Sequence, residues 1–400
     1  MPLNARITVG LFLTFMVNYA ERIAISFAGP SIMTSLSLTP AEFGIVISAF
    51  GVGYMVSQIP GGLLADRWGV KRLLVLGPIV WAFCSGLTGM MSTLAGFVVA
   101  RVAMGSAEGL CAPSYYKTVG EFVSPKFRPA ALSLALSGLL VGMALAGPVV
   151  VHLIAAVGWR WMFVMLGIPA ILVGLSMLWF IPRRGTVIET EDAALHDDTP
   201  MRRPPDRRGF LLLSLSNMCT DIAQYGFSGW LPSYLFFARG IELKAMGVLG
   251  SLPYIFGFVG LLLFGWLSSS LFKRHNAYVM IGCFVAAGVS MFAAYQASST
   301  SLAVAGLCST AFFMYGTFGP KGASVIRLTP KATRGAYVGF YNTTGQIGGA
   351  AAPAVIGLLV GASGSFAGGF IFMITALLVA ACCFALLIPY LSPARTAARQ

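Results

Sequence analysis

Charged residues are scarce in this 400-residue sequence: Asp, Glu, Lys and Arg together make up 10% of it, against 57% for hydrophobic residues. A soluble domain of this size would not tolerate the resulting mean hydropathy of +0.83. Histidine is also rare, with three residues, and the seven cysteines lie in apolar runs without the spacing of a metal site or a disulfide framework. We therefore predict an integral membrane protein that binds no metal and no other cofactor.

Apolar runs of about 20 residues recur along the chain and predict an all-α membrane protein, since the strands of a membrane β-barrel alternate over about 10 residues. The stretch 182–208 differs, because it is rich in acidic residues, proline and arginine, and it predicts a cytoplasmic linker. We predict twelve transmembrane helices in two six-helix bundles, residues 1–181 and 209–400. The predicted spans lie near 7–30, 43–65, 73–92, 95–117, 131–155, 161–181, 209–234, 245–268, 277–297, 301–323, 335–360 and 366–390.

The net charge of +13 is compatible with nucleic-acid binding, but the distribution of the basic residues argues against it. They occur as short clusters in every second loop, which is the pattern of cytoplasmic loops. This places the N-terminus, the linker and the C-terminus in the cytoplasm. Short loops and tails favour a bacterial inner membrane, and we expect a monomer whose partners are the bilayer and small solutes.

Two of the apolar runs carry pairs of ionisable residues: Glu21 and Arg22 in the first, and Arg101 and Glu108 in the fourth. A charge at the centre of a membrane helix costs about 2.5–3.5 kcal/mol on insertion scales, so such residues are usually paired and functional. Arg101 and Glu108 are seven residues apart, so they share a helix face at about 10.5 Å. These charges indicate a transporter, although a static pair that fixes helix packing is an alternative for Arg101 and Glu108.

The loop from Gly62 to Arg72 reads GLLADRWGVKR. Its glycines permit a tight turn, and we expect Asp66 to be an anion at a buried edge that meets a positive helix N-terminus or an arginine of the other half. Asp66 and Arg67 would then control the equilibrium between inward and outward states, and a simple solvated turn is the alternative. The loop resembles the signature motif of the major facilitator superfamily, which implies two six-helix halves and alternating access.

Within that superfamily the chain resembles the anion:cation symporters, which include bacterial sugar-acid/proton symporters and sialic acid and vesicular glutamate carriers. The resemblance implies secondary active, proton-coupled symport of a small organic anion such as a sugar acid. It further implies that Arg22 binds the substrate carboxylate, that Glu21 and Glu108 carry protons, and that Arg101 modulates Glu108. The substrate hydroxyls would be contacted by Tyr19, Tyr54, Asn342 and Gln346. The resemblance is carried by Tyr19, Arg22, Tyr54, Arg101, Glu108, the segment 230–234 and the segment 339–349.

Some features depart from this pattern. The segment 316–322, with Lys321, is closer to organophosphate/phosphate antiporters, and His152 also resembles that group. Their second phosphate-binding arginine has no counterpart on span seven, which offers Asp221, Gln224 and Tyr225. We predict Asp221 as a further proton-coupling residue, with a packing role as the alternative.

A drug/proton antiporter is a further alternative, but it needs no carboxylate-binding arginine such as Arg22. An enzyme is disfavoured, since no catalytic residues stand at the spacing of a nucleophile and its base.

Overall fold

The computed structural model of the protein describes residues 1–182, 207–272, 275–329 and 334–391. They are nearly all helical. Most of the predicted linker, residues 183–206, lies outside the described part of the chain. In chain order the helices are α1 (Leu3–Leu36), α2 (Pro40–Trp68), α3 (Val70–Met90), α4 (Leu94–Phe122), α5 (Arg128–Phe180), α6 (Arg207–Ser233), α7 (Leu243–Leu249), α8 (Leu252–Ser269), α9 (Asn276–Gln296), α10 (Thr300–Gly316), α11 (Phe318–Leu328), α12 (Arg334–Ser363) and α13 (Ala367–Leu391).

Ten of the described helical segments are long and apolar enough to cross a membrane. One of them, α5, has 53 residues and would be about 80 Å long, more than twice a bilayer core of about 30 Å. It is broken at Gly158, whose φ of +82° is accessible to glycine at little cost, and so it provides the fifth and sixth predicted spans. The ten segments therefore provide eleven spans. Helix α6, which has 27 residues and is not among the ten, would be the twelfth, so the described helices are consistent with twelve spans. The predicted all-α membrane fold is confirmed.

Backbone contacts divide the chain into two compact units. Unit 1 contains α1 to α5 and the segment Pro232–Ser251, and unit 2 contains α6 up to Leu231 and α8 to α13. The segment Pro232–Ser251 therefore differs from the predicted domain boundary, which assigned it to the C-terminal bundle. The physical reason is a close contact of α7 with α5, in which Gly147 and Gly247 let the two backbones approach without an intervening side chain.

The core of unit 1 is built by the pairs α1 with α5, α2 with α4, and α3 with both α4 and α5. Trp81 of α3 and Phe122 of α4 are among its largest buried side chains. This packing holds α1 and α4 in one core, and these are the two helices that carry the predicted intramembrane charges.

Unit 2 is built by α8 with α10, α9 with α10, and α13 with α9 and α12. Its span ten is interrupted, because α10 ends at Gly316 and α11 begins at Phe318. Pro320 has no N–H to donate to the Gly316 carbonyl four residues earlier, which accounts for the interruption. The interruption places Lys321 near the start of α11.

Glycines allow α2 and α4 to pack with almost no gap. A Cβ atom at Gly105 would lie 2.9 Å from the carbonyl carbon of Phe50, and one at Gly53 would lie 3.0 Å from that of Val102. Real Cβ atoms do not approach backbone so closely, so these glycines set the distance between the helices. That distance matters for the site, because Phe50 and Tyr54 of α2 lie beside it.

We expect Gly105→Ala to lower the free energy of unfolding by about 1–3 kcal/mol, since the added methyl group must separate α2 from α4. Gly120→Ala is the matched control, because it lies on the same helix and an added Cβ would meet no atom within 4 Å. The measurement is thermal unfolding of the purified protein in detergent. Equal melting temperatures for the two variants would show that the contact at Gly105 is not tight.

Candidate functional site

An ion pair joins Arg22 of α1 to Glu108 of α4. Nη2 of Arg22 donates a hydrogen bond to Oε2 of Glu108 at 2.8 Å, and Nε donates to the same oxygen at 3.2 Å. The Glu108 side chain is 1% exposed and that of Arg22 is 11% exposed. Oε1 of Glu108 is buried and accepts no hydrogen bond within the described part of the chain. One oxygen of the carboxyl group therefore binds the guanidinium, and the side chain of Asn18 also lies close to this carboxyl group.

Three aromatic rings surround the Arg22 guanidinium. Its Cζ lies 4.4 Å from the ring centre of Tyr19 and 4.7 Å from those of Phe50 and Tyr54. At these distances a cation is attracted to the ring, and the rings restrict how the guanidinium can turn. The predicted substrate residues Tyr19, Arg22 and Tyr54 thus form one cluster with Glu108. An anion that replaced Glu108 would meet the Nε and Nη2 donors of a guanidinium whose orientation the rings restrict.

Arg101 does not pair directly with Glu108, although both lie on α4. Its side chain is 1% exposed, its Cζ lies 4.8 Å from the Phe50 ring centre, and Nη1 donates to the sulfur of Met104 at 3.3 Å. Its Nε has no hydrogen-bond partner among the described residues. The described ion-pair partner of Glu108 is therefore Arg22 of α1, and not Arg101 of its own helix.

Glu21 is not part of the Arg22–Glu108 ion pair, although it lies near enough to Glu108 for the two carboxyl groups to interact electrostatically. Successive residues of a helix point about 100° apart, so Glu21 is directed at α3, where the indole of Trp81 lies close to it. Glu21 is 2% exposed, and neither of its carboxyl oxygens has a hydrogen-bond partner in the described part of the chain. An unpaired carboxylate at such a position is costly, and protonation removes that cost.

A second polar cluster lies in unit 2. Nζ of Lys321 donates a hydrogen bond to Oδ1 of Asn217 at 3.0 Å and lies 3.9 Å from Oδ1 of Asp221. One turn beyond Asp221, the hydroxyl of Tyr225 donates to Oε1 of Gln346 at 3.3 Å. The predicted residues Asp221 of α6 and Gln346 of α12 thus both belong to this second polar cluster.

Asn342 lies one turn before Gln346 on α12 and is exposed. His152 is exposed on α5. The described hydrogen bonds include none from the side chain of either residue. The structure therefore does not bring them into the two polar clusters.

Asp66 and Arg67 lie in the last turn of α2, and both are exposed. The expectation of an anion at a buried edge is wrong, because the Asp66 side chain is 69% exposed. Asp66 pairs with Nζ of Lys117 from α4 in the same unit, and that Nζ also donates to the Ala65 carbonyl at 3.3 Å. Sequence reasoning did not find Lys117. One indication in the sequence that Lys117 forms an ion pair is its position four residues before Glu121. In the structure, Nζ of Lys117 does lie 3.6 Å from Oε1 of Glu121.

In the described part of the chain, no three His, Cys, Asp or Glu side chains are placed to hold a metal ion together. The chemistry of both clusters is instead that of cations, carboxyl groups and hydrogen-bonding side chains, which suits the binding of anions and the exchange of protons.

The chain is similar to known proteins over most of its length. The family profile described as Major Facilitator Superfamily matches residues 11–353 and 213–400. The hexuronate transporter of Bacillus subtilis is 26% identical over 375 residues, with 90% of this chain and 89% of that protein covered. The probable galactarate/D-glucarate transporter GudP of the same bacterium is 30% identical over 399 residues, with 91% and 87% covered. The crystal structure of a bacterial homologue of the human lysosomal transporter Spinster matches with a TM-score of 0.78 at 18% identity and covers 97% of both chains, which shows a shared fold.

Proposed function

Because this chain belongs to the major facilitator superfamily, we propose that it is a secondary active transporter that couples the movement of a small organic anion to that of protons. Its relatives are named as transporters, and it is not an enzyme. It is a multi-pass membrane protein; the inner membrane, cytoplasmic termini and a monomeric state are part of the proposal.

The observation that carries the proposal is the buried pair of Arg22 and Glu108. A guanidinium remains charged at any physiological pH and binds a carboxylate through two parallel hydrogen bonds. In the structure this position next to Arg22 is taken by a carboxyl group of the protein itself. The substrate and Glu108 are therefore competitors for one cation.

Competition of this kind couples anion binding to protonation. While Glu108 is ionised, it holds Arg22 and opposes the incoming anion; once protonated, it releases the guanidinium. Protonation and anion binding then favour each other by the same factor, which is the thermodynamic requirement for symport. The loaded site is exposed to the two sides of the membrane in turn by alternating access.

The other residues have supporting roles in this proposal. Glu21 and Asp221 are further proton-coupling carboxyl groups, and Arg101 modulates Glu108 through its charge. Tyr19 and Tyr54, whose rings lie against the Arg22 guanidinium, contact hydroxyl groups of the substrate.

The names of the relatives support a sugar acid as the substrate class. Hexuronate, galactarate and D-glucarate, after which they are named, are all polyhydroxylated carboxylates. Arg22 can bind the carboxylate of such a substrate, and the hydroxyl groups of Tyr19 and Tyr54 beside it can bind the substrate hydroxyls. Benzoate-like or short acids would leave the polar groups without partners, which costs affinity.

The test is uptake into proteoliposomes of a panel of anions, with and without an inside-alkaline pH gradient. The panel contains galactonate, glucuronate, lactate and benzoate, and glycerol-3-phosphate is the control for the organophosphate/phosphate alternative. We expect a sugar acid to accumulate above equilibrium only with the gradient. Gradient-independent exchange of glycerol-3-phosphate for phosphate would favour the antiporter, and proton-driven efflux of a cationic drug without carboxylate uptake would favour the drug/proton antiporter.

A further inference from the structure

Asn18 of α1 is a buried polar residue to which the proposed function assigns no role. It lies four residues before Arg22, so the two side chains project from the same face of α1, one helical turn apart. Asn18 is 3% exposed, and its Nδ2 has no hydrogen-bond partner in the described part of the chain. A buried amide that donates no hydrogen bond is costly, and an apolar side chain would serve packing alone at lower cost.

The ion pair with Arg22 brings the Glu108 carboxyl group to this same face of α1. Nη2 and Nε of Arg22 both donate to Oε2 of Glu108, at 2.8 and 3.2 Å. Oε1 is buried and has no hydrogen-bond partner among the described residues, and the Asn18 side chain lies close to the carboxyl group. The amide that lacks an acceptor is therefore next to a carboxyl group with one oxygen that lacks a donor.

Arg22 and Asn18 differ in what they can do during the transport cycle. The bond between Arg22 and Glu108 must break when the substrate carboxylate takes the guanidinium. Asn18 carries no charge and lies one turn away, so it can stay with Glu108 while Arg22 binds the anion. An N–H donor stabilises the ionised form of a carboxyl group relative to the protonated form. Asn18 is thus placed to oppose the protonation that releases Arg22.

We propose that Asn18 is a positioning residue for Glu108, whose ionised carboxyl group it holds through its amide, and that it thereby sets the pH range in which protonation promotes anion binding. The proposal rests on the proposed function, in which Glu108 is the coupling carboxyl group. Asn18 takes up no proton itself and need not touch the substrate.

Glu108 has other charged and titratable neighbours, and a change at Asn18 leaves all of them in place. The charged ones are Arg22 and Glu21 from α1 and Arg101 from α4. The others are Tyr54 of α2, which lies against Arg22, Cys84 of α3, and Cys111 and Tyr115 of α4. A shift of the pH profile in an Asn18 variant therefore reports the loss of the amide and not the loss of a charge.

The experiment measures anion affinity as a function of pH on the purified full chain. Dissociation constants are determined by calorimetry at a series of pH values on either side of neutrality. The probe is whichever of glucuronate, galactonate, lactate and benzoate the wild type binds. The quantity compared is the midpoint, the pH at which affinity has fallen halfway from its value at low pH.

Asn18→Leu keeps the branched shape of the side chain and removes the donor. We expect it to move the midpoint to higher pH by about one unit, as the loss of a hydrogen bond to a charged group implies. At a fixed pH above the wild-type midpoint, the variant should therefore bind the anion up to about tenfold more tightly. Asn18→Ala should move the midpoint in the same direction, although it leaves space where leucine fills it. A purely structural role would predict weaker binding in both.

Thr14→Val is the matched control, because it also removes a buried polar group from α1. Thr14 is 0% exposed, and its hydroxyl donates within α1 to the Gly10 carbonyl at 2.9 Å, so this variant should keep the wild-type midpoint. A second control combines the change with Glu108→Gln. In that background Asn18→Leu should leave the pH profile unchanged, because the carboxyl group on which it acts is gone.

An unchanged midpoint in Asn18→Leu and Asn18→Ala, or a midpoint moved to lower pH, would overturn the proposal and leave the proposed function standing. So would a shift of equal size in the Glu108→Gln background, since Asn18 would then act on another group. Wild-type affinity that does not depend on pH would instead overturn the proposed function itself.

Discussion

Replacement of Arg22 by alanine is expected to weaken binding of the transported anion by roughly 100-fold or more, because two charge-assisted hydrogen bonds to the substrate are lost. The loss should be the same for every carboxylate that the protein accepts, since Arg22 recognises the carboxylate and not the rest of the molecule. Binding is measured by calorimetry on the purified protein, and transport by counterflow in proteoliposomes. Both should be lost together.

Arg22→Ala alone is ambiguous, because it also leaves the Glu108 carboxyl group buried without its partner. Removing one member of a buried pair commonly costs about 3–5 kcal/mol of stability. The double variant Arg22→Ala/Glu108→Gln removes that unpaired charge and should recover most of the thermal stability while still failing to bind. Tight anion binding by the stable double variant would show that Arg22 is not the substrate-binding cation.

The fold was largely predictable because hydropathy reports where a chain can cross a bilayer. Hydropathy depends on composition and carries no information about contacts between helices, however. This explains where the predicted fold and the structure differ. The segment Pro232–Ser251 was assigned to the C-terminal half by its place in the chain, whereas its backbone packs in unit 1 through Gly147 and Gly247. Likewise, the long helix α5 contains two spans only because Gly158 breaks it.

The site was predictable in its residues but not in its pairing. Spacing along α4 showed that Arg101 and Glu108 share a face, yet the partner of Glu108 comes from α1 and depends on how the two helices are rotated. Phe50 was missed because an isolated phenylalanine in an apolar span carries no signal. Its position four residues before Tyr54 places both rings on the same face of α2, beside Arg22.

Glu21 and Arg22 are adjacent in the sequence, but their side chains contact different residues. Glu21 lies close to Trp81 and forms no described ion pair, whereas Glu108 forms an ion pair with Arg22, the arginine that we propose binds the substrate. A carboxyl group can couple anion binding to protons only if its charge competes with the anion. Of the two, Glu108 satisfies this condition by direct contact.

We therefore expect Glu108→Gln to retain anion exchange and to lose its dependence on protons. Glutamine has nearly the same shape and still offers an oxygen to Arg22, but it cannot exchange a proton. A coupling free energy of about 1–3 kcal/mol corresponds to roughly 5- to 150-fold tighter anion binding when the coupled carboxyl group is protonated. In the wild type, affinity should therefore fall as pH rises, and Glu108→Gln should lose the part of this dependence that Glu108 carries.

Counterflow and gradient-driven uptake separate these two properties in the same proteoliposomes. Glu108→Gln should exchange labelled for unlabelled substrate but fail to accumulate it when an inside-alkaline gradient is imposed. Glu242→Gln is the matched control, since this glutamate is exposed at the start of α7 and should leave both properties unchanged. A wild-type response to the gradient in Glu108→Gln would remove Glu108 from the coupling role. The same pair of measurements on Glu21→Gln would then decide whether the unpaired carboxyl group beside Trp81 carries the proton.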